Sequence, residues 1–333
     1  MYRLKRNNRI RFKVRGFSFL LVIAMGIPSI SLSWGAYEAF PNKPITLIVN
    51  YAAGGLLDTH ARILVDRLSE VLGQPVIKVH KPGGGGTLGA SLAARAKPDG
   101  YTMFTGTSSS LVLTPIVKKV DYSLEDFIPI GIYCKAAVFL YVRADAKWKT
   151  LQDFVREGKA RQLTVSSAGR LIHTDFVQAV FSKQAGIKLL HVPYKSCGES
   201  VSALLGGHAD GDFCQSSIGQ VEAGAVRMLA IADYERSKFM PDVETFKEQG
   251  YPVALPLYYS FCVPAKTPKN VVTILGKGMQ KVFKKYGKEI QEELIRIEAI
   301  PSFFDVQQSI QEFKKDYETT LEVVKKSDLV IEK

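Results

Sequence analysis

From residue 45 onward, short β-rich runs alternate with amphipathic stretches, and this alternation confines the chain to an α/β sheet architecture. Residues 45–50 form the first run. After Gly54-Gly55, a single apolar stripe follows at spacings of three and four: Leu57, Ala61, Leu64, Val65, Leu68 and Leu72. Gly73 stops that helix. A run at 76–79, a glycine-rich turn at 81–86, a helix over 87–96 and a run at 101–105 complete a first series. After two further runs, at 127–133 and 137–142, a second series begins. Thr150 with Asp153 makes a capping-box start for a helix that reaches Gly158. Runs at 163–166, 189–192, 209–213 and 228–231 then alternate with short helices, the first of them carrying Ile172, Phe176, Val177 and Val180 on one face. Beyond a last run at 258–263 the pattern is mainly helical. One stripe holds Val271, Leu275, Val282 and Tyr286; another starts through Ser302-x-x-Asp305.

Two series without a disordered linker predict two lobes joined by strands. The passages at 133–142 and 258–263 are the expected crossovers and would form a two-strand hinge. The expected lobes are 42–140 with 262–330, and 141–261. Residues 1–35 read separately: seven basic side chains and no acid precede an apolar run that Gly26, Pro28, Ser29 and Ser31 break before membrane-spanning length. This is the pattern of a cleavable secretory leader, and no Cys near its end offers a lipid anchor.

The leader explains most of the charge. The whole chain has 44 Lys and Arg against 32 Asp and Glu, and removing the leader's seven leaves 37. Basic and acidic stretches alternate, so no face suited to nucleic acid is expected. The four cysteines, Cys134, Cys197, Cys214 and Cys262, form no CxxC pair and no zinc spacing. In an oxidising compartment they permit one or two disulfides in three connectivities, and they read first as small hydrophobic residues.

Two strand–turn–helix loops can carry binding chemistry. In Tyr51-Ala-Ala53-Gly54-Gly55-Leu56-Leu57-Asp58, glycines without Cβ atoms precede a helix start with unpaired N–H groups, which makes a backbone anion site. Asp58 either caps this helix or meets a ligand ammonium. Ser167-Ala168-Gly169-Arg170 repeats the arrangement in the second series. Arg170 can add a forked contact to a carboxylate, and His173 is either a ligand contact or a helix-start residue. No cofactor or metal site is expected. The Gly83–Gly86 cluster lacks the Lys-Ser/Thr of a phosphate loop. Gly84-x-Gly86-x-x-Gly89 matches the loose dinucleotide pattern, but Asp99 lies in a Pro-Asp-Gly turn before the strand, where it cannot meet a ribose. No Gly-x-Ser-x-Gly elbow or His-Glu-x-x-His motif points to an enzyme.

These residues resemble the Bug family, the receptors of tripartite tricarboxylate transporters. The likeness runs from Pro41 almost to the C-terminus. It is carried by Ala53-Gly54-Gly55-x-x-Asp58, Leu72-Gly73-Gln74-Pro75-Val76, Lys81-Pro82-Gly83-Gly84-Gly85-Gly86, Pro98-Asp99-Gly100-Tyr101, Ser166-Ser167-Ala168-Gly169, His191-Val192-Pro193-Tyr194-Lys195 and Pro241-Asp242-Val243. The resemblance implies the type II periplasmic-binding fold and a monomeric, non-enzymatic periplasmic receptor. Such a receptor would pass a small carboxylate to membrane carrier subunits or, in a second role, signal to a sensor-kinase ectodomain. It further implies that amides of Ala53, Gly54, Gly55 and Leu56 face those of Ser167, Ala168 and Gly169 across the ligand, with Thr107 and Ser108 as walls. Asn50 where Pro is usual, Leu56-Leu57 where smaller residues are usual, Arg170 for Thr and Ser196 for Gly are departures that bear on which carboxylate is bound.

Overall fold

A computed structural model describes residues 40–327, apart from 171, 216, 217, 238, 239 and 298. The leader expected over 1–35 lies outside the described residues. In chain order the elements are β1 (Ile45–Val49), α1 (Leu56–Leu72), β2 (Val76–His80), α2 (Thr87–Ala94), β3 (Thr102–Thr107), α3 (Thr114–Val117), β4 (Phe127–Ala136) and β5 (Phe139–Arg143). There follow α4 (Leu151–Ala160), β6 (Leu163–Ser167), α5 (His173–Ala185), β7 (Leu189–Pro193), α6 (Cys197–Leu205), β8 (Gly211–Cys214), α7 (Ile218–Glu222) and β9 (Val226–Ile231). The last four are β10 (Leu257–Pro264), α8 (Lys269–Arg296), β11 (Ile300–Phe304) and α9 (Val306–Ser327).

The strands make two sheets within one compact unit of the described residues. The six-stranded sheet has the order β11-β4-β10-β3-β1-β2, and the five-stranded sheet β7-β6-β8-β5-β9. In each, the parallel strands that feed helices lie beside antiparallel ones: β10 runs against β3 and β4, and β5 against β8 and β9. The chain leaves the first sheet between Ala136 and Phe139 and returns to it at Leu257. The two passages are tied together, since Ala232 N–H donates to Val138 O over 2.8 Å and Leu255 N–H to Ala232 O over 3.2 Å.

Helices cover both faces of the sheets, so the apolar residues fall into layers. Leu57, Ala61, Leu64, Val65 and Leu68 of α1 are all buried, against the β1 face and α8. Burying a leucine of this kind contributes about 1.5–3 kcal/mol relative to leaving it exposed. A second apolar layer runs without a break from Phe104, Phe127 and Tyr258 beside the first sheet to Leu140, Phe154, Phe181 and Phe213 beside the second. The start of α4 follows the sequence reading: Thr150 accepts the Asp153 N–H, and the Asp153 carboxylate returns to the Thr150 N–H.

The cysteines divide into two kinds. Cys134 and Cys262 are buried as small hydrophobic residues, whereas Cys197 and Cys214 form a disulfide. Reading all four as hydrophobic residues therefore holds for only two: β8 and α6 are separate in sequence, and only the packed sheet brings their ends together.

Candidate functional site

The carboxyl ends of β1, β3, β6, β7 and β8 open onto one cavity of about 490 Å³, the place where α/β sheets present ligands. From the six-stranded side, Tyr51, Ala52, Gly55, Leu56 and Leu57 line it, with Thr107 and Ser109 after β3 and Leu257 and Tyr259 on β10. From the five-stranded side come Ala168, Ile172 and His173 around the start of α5, Lys195 to Gly198 around the start of α6, and Gln215 after β8.

Two of these helix starts lack a side-chain cap. Gly55 precedes α1 and Ile172 precedes α5, and neither residue offers a capping oxygen. Thr59 N–H donates to Gly55 O and Phe176 N–H to Ile172 O, and among the described residues no side chain caps the helix starts ahead of them at Leu56 and Leu57 or at His173 and Thr174. Each helix adds a partial positive charge at this end. Among the described lining residues there is one formal cation, Lys195, and no Asp or Glu. The start of α6 is partly closed by Ser196, whose hydroxyl oxygen accepts the Glu199 N–H over 3.2 Å.

Of the residues expected at the site, Tyr51, Gly55, Leu56, Thr107, Ala168 and His173 line the cavity, whereas Ala53, Gly54, Asp58, Ser108, Ser167, Gly169 and Arg170 do not. Asp58 turns inward. Its carboxylate takes Lys78 at 2.5 Å, His80 at 2.9 Å, Arg62 at 3.2 Å and the Gly54 N–H at 2.9 Å. Burial pushes this carboxyl up, but the bonds from Lys78, Gly54 and His80 outweigh that and hold it well below the usual carboxylate range. The Gly54 amide is thereby committed to Asp58, and the backbone nearest the cavity lies two and three residues further on, at Leu56 and Leu57. Ser108 accepts the Tyr258 N–H, and Ser167 shares its hydroxyl with Gly169 and the His191 ring. Ala53 and Arg170 are exposed outside the cavity. The sequence reading named Leu57 only as a bulky departure from the family pattern, and it missed Ala52, Ser109, Ile172, Gln215, Leu257 and Tyr259. It noted Ser196 only as a departure from the family pattern and did not place residues 195–198 at the site, although Ser196-x-x-Glu199 after a β-rich run is a helix-start signal.

The glycine cluster is a packing feature. Asn50 is fully buried, accepts the Thr105 hydroxyl and donates to Gly86 O. Gly89 lies so close that a Cβ there would sit 2.6 Å from the Asn50 Cβ. This close approach brings α2 against the end of β1.

The two-sheet α/β molecule with a cavity between its sheets has the fold of solved periplasmic binding proteins. A solved periplasmic transporter is 32% identical, with a TM-score of 0.76 over 88% of this chain and 99% of its own. The periplasmic binding protein BugD is 26% identical, with a TM-score of 0.74 over 88% of this chain and all of its own (100%). Residues 60–329 match the profile described as Tripartite tricarboxylate transporter family receptor, and a UPF0065 protein of Cupriavidus necator is 31% identical over 303 residues, 89% of each chain. The chain belongs to this receptor family.

Proposed function

We propose that the protein is an exported periplasmic receptor that captures a small carboxylate between the starts of α1 and α5 and presents it to the membrane carrier subunits of a tripartite tricarboxylate-type transporter. The observation that carries this reading is the cavity wall itself: two uncapped helix starts from opposite sheets and one lysine, with no acidic side chain among the described lining residues. Such a wall favours an anion and gives a cation nothing to pair with. Leu56, Leu57, Ile172 and Leu257 supply an apolar surface for the carbon skeleton.

Capture is by closure. Residues 42–140 with 262–330 would move as one lobe and 141–261 as the other, about the paired passages near Val138 and Ala232. A carboxylate touching both helix starts binds the closed form better, and this differential affinity is what shifts the population. The solute is held and released unchanged.

A thermal-shift screen of mono-, di- and tricarboxylates, followed by calorimetric titration, tests the proposal. At least one carboxylate should raise the melting temperature, because a ligand that binds only the folded state stabilises it. Amides of the same acids should not. A response confined to uncharged or cationic solutes would overturn the reading.

A further inference from the structure

The Cys197–Cys214 disulfide spans a sequence separation of 17, and Cys197 lies in the cavity wall. Cys197 is the first residue of α6, and Cys214 is the last of β8. The bond thus fastens the α6 start to the strand end that carries Gln215. Gln215 stands one residue beyond the last ladder pair of β8, Phe139 with Cys214, so the sheet alone does not hold it. Its Oε1 accepts the hydroxyl of Tyr259 over 3.3 Å.

That contact joins the two walls. Tyr259 belongs to β10 in the six-stranded sheet, and Gln215 follows a strand of the five-stranded one. Tyr259 is itself fixed: it is buried in the middle of the sheet, and its ring packs edge-on against His60 with centroids 4.6 Å apart. The geometry of the bond therefore depends on where Gln215 is held.

We propose that the Cys197–Cys214 disulfide is a positioning element of the binding site, holding Gln215 where it clasps Tyr259 across the cavity and so favouring the form in which the walls close on the solute. The role in binding rests on the receptor reading above; the clasp is made by the protein alone.

Two measurements test it, small-angle scattering without solute and calorimetric titration with the carboxylates that respond in the screen. Gln215→Ala and the pair Cys197→Ala with Cys214→Ala should each enlarge the radius of gyration of the free protein. Each should weaken carboxylate binding about tenfold, the worth of one well-placed hydrogen bond. Combining all three substitutions should cost no more than either alone, because both act through one contact. A disulfide that only stabilises the fold would lower the melting temperature and leave the affinity below that temperature intact. Gln215→Ala keeps the disulfide, so it reads the clasp even if the cysteine-free chain folds poorly. Unchanged affinity and radius in Gln215→Ala, or losses that simply add, would overturn the inference. If no carboxylate binds the unsubstituted protein, the receptor reading falls, and an unchanged radius in both variants would still sink the clasp.

Discussion

His173 donates its Nε2–H to the carbonyl oxygen of Leu255 over 2.7 Å, joining the start of α5 to the segment that leads into β10. A carbonyl only accepts, so the ring is held as the neutral tautomer that is protonated at Nε2. Nδ1 is buried without a partner among the described residues, and burial pushes the ring's pKa down to about 4, against the bond to Leu255.

This ring makes stability depend on pH with a definite sign. Its folded pKa lies below the ordinary value, so its contribution is fully present above about pH 6.5 and is lost as pH falls towards the folded value. Between about pH 7 and about pH 5 the loss from this one group is about 2 kcal/mol. His173→Gln, which keeps a donor for Leu255 and cannot ionise, should show a smaller acid loss than the unsubstituted protein by that amount. Urea unfolding at the two pH values measures it.

Gly54 adopts φ +78°, and its amide is tied to Asp58, so the first loop and the α1 start form one unit. A Cβ at Gly54 would meet nothing within 4 Å, so substitution there costs through the backbone and not through a clash. Gly54→Val should lose about 1–2 kcal/mol of stability and, by displacing Leu56 and Leu57, abolish the carboxylate-induced thermal shift. Asp58→Asn leaves the largely buried Lys78 ammonium without its anion and the His80 ring without its carboxylate partner; Arg62 is 64% exposed and matters less. A loss of about 3 kcal/mol is expected. Because the Asp58 pKa is lowered, that contribution exists above about pH 4 and vanishes in stronger acid, where the variant and the unsubstituted protein should converge.

The alternation of strands and helices was legible because buried parallel strands are short apolar runs and their helices carry single stripes. Ser302 was not. It reads as part of a helix start, yet it lies in β11, whose irregular pairing with β4 at Ile300, Pro301 and Phe304 leaves no two-residue alternation to see. The helix start belongs to Asp305, which accepts the Gln308 N–H. At the site, the two glycine-containing loops were visible as strand–turn–helix units. The direction of Asp58 was not, because Lys78 and His80 reach it from one face of β2 only once that strand is set in register beside β1. Gln215, Leu257 and Tyr259 come to the cavity through pairings between distant segments, which no local pattern encodes.

Asp316 of α9 gives a pH response of the opposite sign. Burial pushes its carboxyl up to about 7, against hydrogen bonds from Ser108 and Thr320. A raised pKa contributes stability in acid and loses it as pH rises through the folded value. From about pH 6 to about pH 8 the loss is about 1 kcal/mol for this group. Asp212 under the second loop, also pushed up to about 7 by burial, titrates in the same window. Asp316→Asn should therefore reduce the alkaline loss of the unsubstituted protein by about 1 kcal/mol across that range, as read from urea unfolding.

Lys195 stands at the exposed rim of the cavity, and among the described residues no carboxylate forms an ion pair with it at salt-bridge distance. A cation at a rim acts mainly on approach: it raises the local concentration of anions and is screened by salt. Lys195→Gln should reduce the association rate of carboxylates about threefold at low ionic strength and leave the dissociation rate nearly unchanged. At high ionic strength the two proteins should associate at similar rates. Stopped-flow binding at both ionic strengths measures this. A change confined to dissociation would instead mean that the ammonium contacts the bound solute directly, deep between α5 and α6.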